Sequence, residues 1–256
     1  MPIPFFAEIN IFDLSWLTEP QAWIALLTLT IMEIVLGIDN IVFISILVDK
    51  LPESERPRAR FLGLGFAMIT RILLLLSISW VMQLKDPLFS LIDREFSGKD
   101  IILMVGGLFL LYKSTKEIHH KIEGDPEGDI ERAGRGASLS GILIQIAVLD
   151  LVFSLDSVIT AVGMAEHVLV MIIAVMISVG FMMIFAGSVS AFISKHPTVK
   201  MLALSFLMLI GTALVGEGLH FHIPKGYVYF AMAFSIFVEM LNIRATKKKK
   251  EAAGGS

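Results

Sequence analysis

Apolar stretches of about 20 residues alternate with short charged patches along this chain. A helix rising about 1.5 Å per residue crosses the roughly 30 Å hydrocarbon layer in about that length, so each stretch reads as a membrane helix. The pattern predicts seven helices: Gln21–Val48, Phe61–Leu84, Asp100–Glu117, Leu139–Met164, Val168–Ser194, Val199–Gly216 and Tyr227–Ile243. The third is the least complete. Its unbroken apolar part, Ile101–Tyr112, is short, so it spans only if Lys113 and Lys116 snorkel to the surface. A re-entrant segment is the alternative.

The charged patches give an orientation. If the N-terminus is outside, then of the 21 lysines and arginines only Lys85, Arg94, Lys99 and Lys225 fall on the outer side. Arg71 lies within a helix, and the remainder face the cytoplasm, including Arg56, Arg58, Arg60 and the tail Lys247–Lys250. That asymmetry predicts an outer N-terminus and a cytoplasmic C-terminus. The first helix then enters from outside and the fourth from inside. Helices one to three and four to six become two inverted repeats, a plan that places a substrate near the bilayer midplane. The expected organisation is an outer N-terminal segment (1–20), repeat one (21–119), a cytoplasmic linker (120–138), repeat two (139–223), a seventh helix (224–244) and a basic cytoplasmic tail (245–256).

Composition agrees with an all-α polytopic membrane protein. Of the 256 residues 55% are hydrophobic and 18% charged, with a mean hydropathy of +0.78. There is no cysteine, which excludes disulfides and thiolate chemistry. Segment Ile3–Leu17 carries Glu8 and Asp13 but no basic residue, unlike a signal peptide. No P-loop, HExxH or nucleophile elbow occurs, so neither an enzyme nor a nucleic-acid partner is expected.

One motif occurs twice inside these apolar runs. Glu33-Ile-Val-Leu-Gly-Ile-Asp39-Asn40 matches Asp150-Leu-Val-Phe-Ser-Leu-Asp156-Ser157 in chemistry at nearly every position. An ionised carboxylate at membrane depth costs about 3 kcal/mol on insertion scales, so a duplicated acidic pair points to a polar site built from two halves. Glu33 and Asn40 are seven residues apart, as are Asp150 and Ser157, which puts each pair on one helix face. Asp39 and Asp156 lie about 120° away. All four acids converge only if the helices bend or the ligands flank the site from two sides. Gly37 favours a bend in the first copy; Ser154 favours it less in the second.

Carboxylates, an amide oxygen and a hydroxyl make an all-oxygen donor set. Such a set suits hard divalent cations, Mn²⁺, Mg²⁺ or Ca²⁺, rather than Cu⁺. Arg71 is a candidate counter-ion, with local pairing or snorkelling as the alternative. Protonation of one acid as the metal leaves would make the site an antiporter. Against all this stands a structural reading in which the acids join helices. His119, His120, His220 and His222 read as surface groups, Glu217 and Glu239 as helix-end groups, the methionines as packing and Glu123–Asp129 as a solvated linker.

The paired motifs, with Phe43 after the first, resemble the signature of the TerC family of integral membrane proteins. Segments Gly106–Lys113 with Lys116–His119, His196–Phe206 and Pro224–Met232 resemble its YgdQ-like bacterial branch, and the likeness runs from Trp16 to Arg244. Members are named for tellurium resistance and several are implicated in manganese efflux. The resemblance implies metal-site residues Glu33, Asp39, Asn40, Asp150, Asp156 and Ser157. No appended CBS or transporter-associated domain follows, so regulation by one is not expected. The combined expectation is a multi-pass inner-membrane transporter of a divalent cation, Mn²⁺ foremost, with no tightly bound cofactor. Protons are expected as a coupling ion and a homo-oligomer is compatible with the sequence. The alternative is a non-transporting factor for assembly or metallation of exported proteins.

Overall fold

The structure, a computed structural model, describes residues 14–91, 94–123, 138–165 and 167–253. The side chains of Asp39, Ile78, Ser79, Leu91, Asp156, Lys225 and 247–253 lie outside that description. So do the expected linker residues 124–137, the first 13 residues and the last three.

After a 3-10 turn at Ser15–Thr18, the elements are α1 (Pro20–Val48), α2 (Arg56–Leu76), the short α3 (Ile78–Gln83), strands β1 (Pro87–Leu91) and β2 (Arg94–Ser97), α4 (Gly98–Glu123), α5 (Leu139–Val162), α6 (Val168–Lys195), α7 (Pro197–Gly218) and α8 (Lys225–Ala253). Among the described residues six are long and apolar enough to cross a membrane: α1, α2, α5, α6, α7 and Gly226–Thr246 of α8. The expected third helix exists within α4, a 26-residue helix that is not among the six. Its two doubtful lysines lie over aromatic rings one turn back, Lys113 over Phe109 and Lys116 over Tyr112.

The expected second helix, Phe61–Leu84, is interrupted. Ser77 ends α2, and its hydroxyl donates to the carbonyl oxygens of Leu73 and Leu74. The Ser77 carbonyl then accepts from the N–H groups of Trp80 and Val81 as α3 begins. The chain then forms an antiparallel hairpin that hydropathy did not suggest, with Phe89 stacked on Phe96 at 5.6 Å. Ser97 closes the hairpin onto α4 as a capping pair: its N–H and hydroxyl both donate to the buried Asp100 carboxylate, at 2.8 and 2.7 Å.

The chain divides into two compact units, with boundaries at Ile102/Leu103 and Ala191/Phe192. The first holds α1–α3, the hairpin, α5 and most of α6. Within it α2 and α5 are the most closely associated helices. Ala59, Gly63 and Ala67 form a stripe of small buried residues on α2, one turn apart, and Ile146 of α5 fills the space over Gly63, 2.9 Å from where a Cβ would stand. Small residues let two backbones approach closely in a membrane. The stripe ends at Arg71, which is thereby brought within reach of α5. At the opposite end of α1, Glu19 Oε2 lies 3.2 Å from His167 Nε2, tying the start of α1 to the start of α6.

The second unit contains most of α4 with α7 and α8. There Gly107 and Gly211 bring two backbones into contact, and a Cβ at Gly107 would stand 2.6 Å from the Gly211 carbonyl oxygen. Its described buried polar side chain, Ser114, donates to its own helix.

Candidate functional site

Three charged side chains meet inside the first unit, each from a different helix. Glu33 of α1 is 6% exposed, Arg71 of α2 2% and Asp150 of α5 4%. Arg71 donates from Nη1 to Glu33 Oε2. It donates from Nη2 and Nε to Asp150 Oδ1, at 3.0 and 3.3 Å. The fork geometry of a guanidinium allows it to serve two carboxylates in this way. A buried charge without such partners would be strongly destabilising, so each member of the trio depends on the others. With both acids ionised the trio carries a formal charge of −1.

Asp150 has a second support. The Ser154 hydroxyl, fully buried one helical turn on, donates to Asp150 Oδ2 at 3.1 Å. Ser157, buried one turn further, donates to the Ser154 carbonyl oxygen at 3.2 Å. Asn40 and Asp150 share the wall of a cavity of about 10 Å³, otherwise lined by Phe43, Ile44, Ala67, Ile146, Leu149 and Phe153. A space of that size holds about one water-sized particle, and its polar contacts are an amide and a carboxylate.

Four of the six expected site residues are buried: Glu33 and Asp150 meet at Arg71, Asn40 shares the cavity wall with Asp150, and Ser157 bonds to its own helix. The side chains of Asp39 and Asp156 lie outside the described residues, although the backbone of each is helical. Both motif helices run unbroken, α1 through Gly37–Asn40 and α5 through Ser154–Ser157. Glu33 and Asp150 are joined by the reach of an arginine between them, with no break in either helix. Gly37 has a packing role that its backbone freedom does not describe: a Cβ there would overlap the sulfur of Met182 on α6. Among the described residues, no group of three or more His, Asp or Glu is placed to hold a metal.

Sequence reasoning passed over Ser154 as a partner of Asp150. Its position four residues after an acid on the same helix face was the available signal. Two of the histidines pair with nearby acids, His119 with Glu123 at 3.4 Å and His222 with Glu217 at 3.6 Å.

The chain is thus a polytopic helical membrane protein in which one acid from each copy of the repeated motif is locked to a single buried arginine. The profile of the Integral membrane protein TerC family matches residues 18–253, and the chain belongs to that family. It is 56% identical over 236 residues to a UPF0053 protein of Haemophilus influenzae, covering 92% of this chain and 99% of that one. It is 54% identical over 234 residues to the UPF0053 inner membrane protein YgdQ of Escherichia coli, covering 91% and 98%. The UPF0053 inner membrane protein YoaE of Escherichia coli is 50% identical over 229 residues, covering 90% of this chain but 44% of that longer protein. No solved structure matches the chain.

Proposed function

We propose that the protein carries a divalent metal cation, Mn²⁺ foremost, out across the inner membrane. Glu33, Asp39, Asp150 and Asp156 would supply carboxylates to the ion and Asn40 and Ser157 neutral oxygens. The observation that carries this reading is the convergence of Glu33 and Asp150, one acid from each motif copy, on a single buried guanidinium. Helices can be joined in lipid by neutral hydroxyls and amides; two acids and an arginine are an expensive way to do so, and they are typical of ion pathways. An all-oxygen donor set favours Mn²⁺, Ca²⁺ or Mg²⁺. The inner membrane follows the name of the relative YgdQ. Seven crossings in two inverted repeats, with the N-terminus outside, follow the charge pattern, α4 supplying the seventh crossing. Protonation of an acid as the metal leaves would couple transport to protons.

The test is Mn²⁺ flux in vesicles containing the purified full-length protein, with and without a pH gradient. Asp39→Asn and Asp156→Asn should each abolish flux in protein that still inserts and folds, since removing a charge eases insertion. Normal efflux by both variants would show the acids to be structural. An absence of flux in the unmutated protein would leave the assembly-factor reading.

A further inference from the structure

We propose that Arg71 is a tethered competitor of the transported cation: it occupies the carboxylates of Glu33 and Asp150 while the site is empty and must withdraw before a divalent ion can be held. This rests on the cation-site reading above and says how that site is regulated.

Asp150 gives Oδ1 to two nitrogens of Arg71 and Oδ2 to Ser154. Glu33 gives Oε2 to the third guanidinium nitrogen. Asp150 also forms a wall of the small cavity that it shares with Asn40. A cation arriving there meets a carboxylate already engaged by a positive group, and two cations sharing one carboxylate in a buried place repel strongly. Charge matching points the same way. Arg71 cancels one of the two negative charges of Glu33 and Asp150, and its withdrawal returns both carboxylates to the ion.

The position of Arg71 fits a competitor better than a fixed brace. It sits at the end of the small-residue stripe of α2, at the tip of a long side chain that can change partners without moving the helix. Ser154, by contrast, is anchored on the same helix as Asp150 and can keep its hydrogen bond whichever cation is bound. The two carboxylates would thus alternate between an internal monovalent cation and an external divalent one, and neither would stand in the empty site without a positive partner.

Equilibrium binding of Mn²⁺ to the purified full-length protein in detergent tests this, with Arg71→Gln, Arg71→Lys and Asp150→Asn beside the unmutated chain. Arg71→Gln should bind Mn²⁺ about tenfold or more tightly, within the usual range of coupling between two ligands, and should release it more slowly in flux assays. Arg71→Lys keeps the charge, but a compact ammonium lacks the planar fork that spans both acids, so its affinity should fall in between. A merely structural arginine predicts the opposite, weaker binding on substitution. Binding by Arg71→Gln that is equal to or weaker than that of the unmutated protein, while Asp150→Asn loses Mn²⁺, would overturn the competitor and leave the cation site standing. Arg71→Lys matching the unmutated protein would also overturn it, because net charge alone would then suffice; this variant decides the matter if Arg71→Gln does not fold. No Mn²⁺ binding by any of the four proteins would remove the cation-site reading and the competitor with it.

Discussion

The two motif helices carry the same spacing of polar groups and support their acids differently. Position 37 of α1 and position 154 of α5 correspond, each one turn after the first acid. In α5 the residue is a serine that hydrogen-bonds the acid. In α1 it is a glycine whose missing side chain admits the Met182 sulfur. Asp150 is therefore held by its own helix as well as by Arg71, whereas the described hydrogen bond of Glu33 comes from Arg71 alone. One half of the duplicated motif is polar and self-supporting; the other is close-packed and relies on a neighbour. The two copies match in the placing of their acids and differ, at positions 37 and 154, in how the first acid is held.

That asymmetry can be broken in graded steps. The largest effect should come from Asp150→Ala, which removes the acceptor for two guanidinium nitrogens and for Ser154. Truncating one partner of a buried ion pair costs about 3–5 kcal/mol, and thermal unfolding in detergent should show a loss of that order. Glu33→Ala should cost less, toward about 3 kcal/mol, because Arg71 keeps Asp150; equal losses would mean the two halves are energetically equivalent. Next comes Gly37→Ser, which writes the residue of α5 into α1. Overpacking against Met182 should cost about 1–3 kcal/mol, and adding Met182→Ala should recover much of it. The smallest effect is expected for Ser154→Ala, about 1.5 kcal/mol for a lost hydrogen bond to a charged group. If Ser154→Ala left stability unchanged, the self-support of the second copy would be disproved.

Much of this arrangement was legible in the sequence because it rests on strong, local signals. Long apolar runs mark helices whatever they pack against, and acids inside them are conspicuous. Spacing alone singled out Glu33, Asn40, Asp150 and Ser157, and all four side chains are buried. What escaped depends on tertiary choices. The break at Ser77 falls inside one continuous apolar run, so hydropathy drew one helix through to Leu84. The hairpin between Pro87 and Ser97 is short and mixed in polarity, with no periodicity long enough to register. Gly37 offered a bend or a close contact, and the presence of Met182 opposite it decides for contact. Arg71 was visible as an oddity, yet nothing local told a bridging arginine from a snorkelling one. Its partners lie 38 and 79 residues away, beyond any local pattern.

Those separations also bear on how the protein is made. Synthesis delivers Glu33 first, Arg71 a helix later, and Asp150 long afterwards. An arginine entering the bilayer alone is costly, but α1 and α2 are consecutive and can enter as a pair with Glu33 and Arg71 already neutralising one another. When α5 follows, its acid finds a guanidinium waiting with donors to spare. The order of the three charges along the chain thus lets each arrive to a partner already in place, and a circular permutation that made α2 the first helix inserted would send Arg71 into the membrane unaccompanied.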